Sequence, residues 1–600
     1  MNAIARAQEL ARLWADSSRS YPTPRSAQLL KSVVDAGGLD FTVGFVDGVI
    51  RPEDDGVAAA NLARLAGEDT SFLPGYLRYL AKAGKLSNLA PGVASKAART
   101  IFGALVGNLV LDVTDHKLGP ALAELKKDGS RLNLNLLGEA VLGRREADRR
   151  LAAVERLIER PDVDYVSLKV SSVLGTHAAY GFDEGLDHAV DKLYPVYLNA
   201  KRHGTFINLD MEEYKDLHLT LEAFKELLSK PELEDYRAGI VLQAYLPDAR
   251  EELARLTEWA KDRRARGGAP VKVRLVKGAN LSMERVDATM HGWELAVWPT
   301  KAHSDAAYLR MLDDALTPEN IDAVNIGVAG QNLFTLAYGV ALTEERGLTI
   351  GDGIDIEMLA GMATPQAKAV ADSVGPLLYY VPVVHPDEFD VAISYLVRRL
   401  EENTTPENFM SNVFDLPEDD SVFRLEQQRF LDAVDLRDTI DFSPRRTPWD
   451  GPTATGFTNA RDTDPSLPEN IARARDIAGR MTNSTLGSDL VDQAAVSTDA
   501  EIDALVHSAR AAQAGWNSLG ADRRAEILRA VAKGLHENRD RLLEVVGSET
   551  GKAIDQGDVE VSEAIDFAMY YAQAATELDH PGARFCLLYT SDAADDIALV

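Results

Sequence analysis

The sequence predicts an α/β protein organised around a (β/α)8 TIM-type barrel, and three observations predict it. Eight short apolar, β-branched runs recur between residues 132 and 384. Amphipathic helical stretches such as READRRLAAVERLIER and REELARLTEWAKDRRAR separate them. Eight strand–helix units in roughly 275 residues are the count and size of one closed parallel barrel. An N-terminal helical domain and a further helical start at the C-terminal side flank it.

The elements follow in chain order. Residues 1–130 read as a helical arm or cap domain, because Leu10, Leu13 and Trp14, then Leu62 and Leu65, then Tyr76, Tyr79 and Leu80 recur at helical spacing. No strand pattern of any length is expected there. Residues 131–410 hold the barrel. Its strand runs are LNLNLLGEA (132–140), YVSLKVSSV (165–173), FINLDM (206–211), GIVLQAY (239–245), VKVRLVKGA (271–279), AVNIGVAG (323–330), IDIEMLAGM (354–362) and LLYYVPVV (377–384). The last barrel helix is DEFDVAISYLVRRLEENT (387–404). Residues 411–470 form a helix and a linker, the stretch from 440 being rich in Pro, Gly, Thr and Asp without periodicity. Residues 471–585 are helical again, with Thr498 and Glu501 spaced as a capping box.

Composition excludes several classes. The chain has 600 residues, 64 basic and 94 acidic side chains, a net charge of −30 and one cysteine. One cysteine rules out a disulfide scaffold or a Cys-rich metal centre and suits a reducing compartment. The acidic balance gives nothing for a nucleic-acid backbone to attract. No run of 18 apolar residues suggests a membrane span, and the N-terminus lacks the apolar core of a secretory signal. No HExxH or Cys/His cluster marks a metal, no GxGxxG follows a strand, and GSETGK (547–552) has the wrong spacing for a phosphate loop. A cytoplasmic location is expected.

In a barrel, chemistry sits at the C-terminal strand ends. Those ends carry Glu139, Lys169, Asp210, Gln243 with Tyr245, Lys277, Gly330 to Asn332, Leu359 and Tyr380. Polar groups inside apolar strands are costly to bury without partners, so their repetition at one end points to a site. On the last helix Tyr395, Arg398, Arg399 and Glu402 share one face. Paired guanidinium groups suit a small carboxylate, to which Lys169 could add a third cation, although in isolation such a helix face is more often a solvated ion pair. Arg274, Lys277 and Gly278, with Thr300, Lys301, His303 and Ser304 of WPTKAHSD and the small residues of GVAGQN, suggest a phosphorylated cofactor. Lys277 could equally be the Schiff-base lysine of an aldolase, and the local sequence leaves that open.

Taken together, LLGEA, SLKVSS, NLDMEE, QAYLPDA, VRLVKGAN, WPTKAHSD, GVAGQN and above all YLVRRLEEN resemble the proline dehydrogenase domain of the bifunctional proline utilisation A flavoenzymes, over about residues 130–410. SARAAQAGW, ETGKAI, EVSEAIDF and YYA, within 475–579, resemble the opening helices of an aldehyde dehydrogenase. The resemblance implies non-covalent FAD and oxidation of L-proline to Δ1-pyrroline-5-carboxylate, hydride passing from proline C5 to flavin N5 and electrons on to quinone. It implies that Lys169, Arg398 and Arg399 bind the proline carboxylate. Tyr380, Tyr395, Leu359 and Ala279 then pack its ring, and Asp210 and Glu139 position the cations. It places Arg274 near flavin N5, and assigns FAD to Gln243, Val276, Lys277, Gly278, Ala279, Thr300, Lys301, His303, Ser304, Ala329, Gly330, Gln331, Asn332 and Glu402.

This chain departs from the family pattern in two places. Asn280-Leu281 follows KGA where many members have an aromatic, and Gly330-Gln331-Asn332 stands where others have THN. The aldehyde dehydrogenase resemblance stops after its first helices, so an NAD site and the second activity, pyrroline-5-carboxylate dehydrogenase, are not expected. CLLYTSDAADDIALV (586–600) matches no continuation and reads as a non-native tail. Any membrane contact is expected to be peripheral, no nucleic acid is expected, and an oligomer is compatible with the sequence. The rival readings are the Lys277 aldolase and a non-catalytic binding or assembly module.

Overall fold

The computed structural model describes residues 2–22, 44–65, 67, 91–93, 109–138, 143–175, 178–388, 392, 395, 399 and 405–578. Glu139, Arg398, Glu402 and the expected tail lie outside the described residues, as does most of the expected helix 387–404. The chain forms two compact units, Met1–Glu284 with Leu295–Arg445, and Arg285–Glu294 with Arg446–Val600.

The first unit contains the barrel. Its strands are β1 (Arg131–Leu136), β2 (Tyr165–Lys169), β3 (Phe206–Asp210), β4 (Gly239–Gln243), β5 (Val271–Val276), β6 (Val324–Ala329), β7 (Ile354–Leu359) and β8 (Leu378–Val384). All pair in parallel with their sequence neighbours, and β8 pairs back onto β1 from Arg131↔Leu378 to Leu136↔Val383, so the sheet closes. Val, Ile and Leu dominate the outward positions and are buried under the surrounding helices, as a sheet covered on its outer face requires.

The barrel interior is unusually polar. Such interiors are normally filled by branched aliphatic side chains. Here Arg274 of β5 bonds both Asp210 of β3 and Glu357 of β7, each two strands away, which only a path through the interior allows.

One expectation about the flanking segments needs correcting. Residues 1–130 are not helical throughout: Leu111–Asp112 form a two-residue strand parallel to Val383–Val384 of β8. Two residues are too short for alternation to register in a sequence window. The helix Ala3–Ser18 does form as expected, burying Ala7, Leu10, Ala11 and Trp14, and it is tied to the helix Leu333–Glu345 by Arg6 Nε on Glu344 Oε2 at 2.9 Å.

The second unit is helical, with Pro468–Met481, Leu486–Ala494, Asp499–Ser518, Gly520–Glu537, Arg539–Thr550 and Ile554–Leu578. Thr498 and Glu501 form the expected capping box. The segment before it is irregular, as expected of its composition, and side chains pin it. Arg446 is buried, with Nη1 at 3.2 Å from Asp464 Oδ2, and Trp293 Nε1 donates to the Asp462 carbonyl at 2.7 Å. Side-chain anchors of this kind hold an irregular backbone in place without periodicity.

Candidate active site

The C-terminal end of the barrel gathers an ionised cluster around Asp210. Its Oδ1 accepts from Ser167 Oγ at 2.9 Å, Asn208 Nδ2 at 3.0 Å and Arg274 Nη1 at 3.1 Å. Its Oδ2 accepts from the Tyr380 hydroxyl at 2.9 Å, and the Arg274 guanidinium lies 5.3 Å from the Tyr380 ring centroid. Tyr380 is the third of seven residues in β8, not at its end as expected, yet it pairs with Leu359, the last residue of β7. The stagger of a closed barrel brings a mid-strand residue level with a neighbour's terminus.

Arg274 sits inside β5 and is 4% exposed. Burial opposes its charge, but Glu357, Asp210 and the neighbouring tyrosines outweigh that and hold its pKa above the ordinary range. Burial likewise pushes the Tyr380 hydroxyl well up, with Asp210 adding to it, so the phenol stays a proton donor to Asp210.

Lys169 ends β2, pairs with Asp210 across the strands, and forms an ion pair with Glu212. The Glu212 carbonyl accepts from Gln243 Nε2 at 3.3 Å and from the Asn280 side chain. Asn280, one of the two departures, is therefore buried and spent on the loop after β3. Lys169, Ser167 and Asn135 also line a cleft of about 870 Å³ beside Arg149, Arg150 and His385, large enough for a small ligand.

A second cluster follows β5. Lys277 Nζ lies 2.6 Å from Asp305 Oδ1, and Lys301 holds the other oxygen of the same carboxylate. Burial alone would raise the Asp305 pKa, but the two ammonium groups hold it below the ordinary value; burial lowers that of Lys277. Gly278 has φ +126°, and a Cβ there would lie 2.4 Å from the Tyr245 ring, so only glycine fits this turn. Gly278 and Ala279 are exposed at the mouth, while Val276 closes β5.

The remaining expected cofactor residues divide. Thr300 caps the helix Lys301–Ala315 and its hydroxyl lies 2.7 Å from His303 Nδ1; His303 stacks on Trp298, and Ser304 lies in the first turn. Asn332 caps the helix Leu333–Glu345 through Phe334 N at 2.9 Å. Gln331 Nε2 donates to the Leu359 carbonyl at 3.1 Å, and Ala329 and Gly330 close β6. Tyr395 packs against an apolar cluster that includes Leu137, just after β1, and Val384, the last residue of β8, with the Arg399 guanidinium 5.1 Å from its ring.

Sequence reasoning missed Glu212, Lys272, Asp305, Asp355 and Glu357. For three of these a signal existed: Lys272 precedes Arg274, and Asp355 precedes Glu357, by two positions, the spacing of one strand face.

The residues fit a flavin. Among the described residues, Arg274 Nη2, Gln243 Oε1 and Gln331 Oε1 are buried without a hydrogen-bond partner. They come from β5, the end of β4 and the loop after β6, one donor and two acceptors of the kind a flavin's polar edge engages.

A closed parallel barrel with an ionised cluster at its C-terminal strand ends defines an α/β-barrel enzyme. Residues 119–412 match the family model Proline dehydrogenase, and residues 480–587 match Aldehyde dehydrogenase family. The barrel is thus similar to the proline dehydrogenase family, a likeness that implies a flavin cofactor. The Bifunctional protein PutA of Salmonella typhimurium is 25% identical over 79% of this chain and 38% of that protein. The Proline dehydrogenase of Deinococcus radiodurans is 28% identical over 48% of this chain and 82% of that protein. The solved structure of Proline Utilization A from Corynebacterium freiburgense is 39% identical, with a TM-score of 0.65, covering 83% of this chain and 48% of that one. The chain thus spans about two-fifths of the length of the PutA relative and matches only part of the aldehyde dehydrogenase family. Among the described residues no helix is long and apolar enough to cross a membrane.

Proposed function

We propose that this chain oxidises L-proline to Δ1-pyrroline-5-carboxylate at the C-terminal mouth of the barrel, using non-covalently held FAD. The observation that carries this reading is the Asp210–Arg274–Tyr380 cluster within the matched domain. Bound FAD supplies the hydride acceptor. Gln243, Arg274 and Gln331 offer it buried hydrogen-bonding atoms, and Gly278 allows close backbone approach. Lys169 and the adjacent arginines Arg398 and Arg399 clamp the substrate carboxylate, fixing C5 in a reactive pose. Cations around that carboxylate disfavour a protonated ring nitrogen and so favour the amine that can lose hydride. Asp210 keeps Arg274 and Tyr380 in place. Tyr380, Tyr395, Leu359 and Ala279 pack the proline ring.

Electrons then pass to a quinone, by peripheral contact with a membrane, and the protein works in the cytoplasm or at the membrane's inner face. Residues 1–130 act as an arm to the barrel domain 131–410, and residues 471–585 as the start of an aldehyde dehydrogenase domain. Lys277 is a poor Schiff-base candidate because Asp305 already engages its ammonium.

The test is anaerobic addition of L-proline to the purified protein. Flavin absorbance that bleaches supports the reading, and a colourless protein that takes up no added FAD overturns it. Arg399→Met is expected to raise KM for proline at least tenfold; unchanged kinetics would remove Arg399 from the carboxylate site.

A further inference from the structure

Beneath the mouth, two cations share one buried carboxylate. Glu357 Oε2 accepts from Arg274 Nε at 2.6 Å, while its Oε1 lies 2.6 Å from Lys272 Nζ. The Glu357 and Lys272 side chains are 3% and 6% exposed. Lys272 also reaches Asp355 Oδ2 at 2.6 Å, and Asp355 is paired in turn with Arg131. With Asp210, three acids face three bases, from the exposed Arg131 at the start of β1 to Arg274 in the barrel interior. Burial would drive Glu357 towards its neutral form, but Arg274 and Lys272 hold its pKa below the ordinary value, so the pair stays ionised.

This arrangement needs a gap in the wall of the barrel. Gly327 of β6 lies in register with Arg274 on one side and Asp355 on the other. A Cβ at 327 would lie 2.1 Å from Glu357 Oε1 and 3.1 Å from Lys272 Cε. Any side chain there displaces the carboxylate that both cations use. Gly327 has no positive φ to explain it; the space it leaves does.

Arg274 is thus held at Nε by Glu357 and at Nη1 by Asp210, leaving Nη2 as its one buried donor without a partner. We propose that Glu357 and Lys272 are positioning residues that set the charge Arg274 presents to a bound flavin, and that Gly327 leaves the room they need. This rests on the flavin-dependent reading above. A flavin gains negative charge on reduction, so a cation nearby favours the reduced form, and more so in a low-dielectric interior. Glu357 attenuates that cation, and Lys272 competes for Glu357.

The experiment measures the midpoint potential of the flavin bound to the full chain. E357Q is expected to shift it upward, because Arg274 loses one of its two buried counter-ions. K272M is expected to shift it downward, because Glu357 then acts on Arg274 alone. The double variant E357Q/K272M, which removes one charge of each sign, should return close to the parent value, and G327A should move it away. Shifts of the same sign in the two single variants, or no shift, overturn the proposal. Should E357Q not retain flavin, K272M alone decides by the same sign. Failure of the single and double variants alike to fold overturns it in favour of a purely structural role. A parent protein that holds no flavin overturns the flavin-dependent reading itself, before any variant is made.

Discussion

The Tyr380 hydroxyl donates to Asp210 Oδ2 at 2.9 Å across a sequence separation of 170 residues, joining β8 to β3 through the barrel interior. The other oxygen of Asp210 is already shared by Ser167, Asn208 and Arg274, so Tyr380 is the contact that fixes the free side of the carboxylate. Tyr380→Phe keeps the ring and removes only the donor. A buried hydrogen bond to a charged acceptor contributes about 1.5–3 kcal/mol, so urea unfolding should show a loss in that range. Proline turnover should fall as well, because Asp210 no longer holds Arg274 in one place. An unaltered urea midpoint would mean the hydroxyl contributes no net stabilisation.

The barrel was readable because strand and helix periods alternate cleanly over eight units, and tertiary packing had little to override. The cluster was readable in part. Asp210 and Arg274 stand out as charges in apolar runs, but Lys272, early in β5, and Glu357, within β7, also occupy positions where a barrel core is normally apolar. Their spacing by two from Arg274 and Asp355 was the available clue. Glu212 and Asp305 carry no local signal, since a loop acid and a helix acid become site neighbours only after folding. Thr300 and Asn332 show that one residue type serves two purposes. Hydroxyl and amide side chains that suit a cofactor are also the preferred helix caps, and both residues cap helices here.

At Gly278 two constraints coincide. The backbone has φ +126°, which an L side chain rarely adopts, and a new Cβ would meet Tyr245 Cγ at 2.4 Å. Gly278→Ala should therefore cost about 1–3 kcal/mol from the backbone alone, with the clash added. Because the turn lies between Lys277 and Ala279, the flavin-to-protein ratio of the purified variant should drop. Adding Tyr245→Ala relieves the clash but not the backbone, so thermal melts should show partial recovery. Full recovery would place the whole effect on the ring.

Asp216, just beyond β3, is buried, and burial pushes its pKa up to about 7, with Glu213, Glu212 and Glu284 adding to it against Lys215. A carboxyl that keeps its proton in the folded state while the unfolded chain ionises near pH 4 makes stability fall as pH rises. The loss begins above the unfolded value and is complete once the pH passes the folded one. Its size is up to about 4 kcal/mol. Asp216→Asn cannot ionise, so its stability should decline less between pH 5 and 8. Urea midpoints of the two proteins should diverge with rising pH, the variant being the more stable at pH 8. Parallel pH profiles would show that Asp216 is ionised throughout.

In the helical second unit, Arg539 and Asp558 are 3% and 2% exposed, with Nη1 and Oδ1 2.6 Å apart. Asp558 also accepts from Thr463 Oγ1 at 2.8 Å and from the Thr463 backbone at 2.6 Å, while Arg539 Nη2 donates to Ser562 at 3.1 Å. The pair thus ties the irregular segment around Thr463 to two helices. Replacing both charges with apolar groups can be nearly neutral, but removing one strands the other in a low-dielectric interior. Asp558→Ala should cost about 3–5 kcal/mol, and Asp558→Asn less, since an amide still accepts from Thr463. Amide exchange of the helix Arg539–Thr550 should accelerate in Asp558→Ala, while that of the helix Lys301–Ala315 in the barrel unit stays unchanged. Equal acceleration in both helices would show that the two units unfold as one.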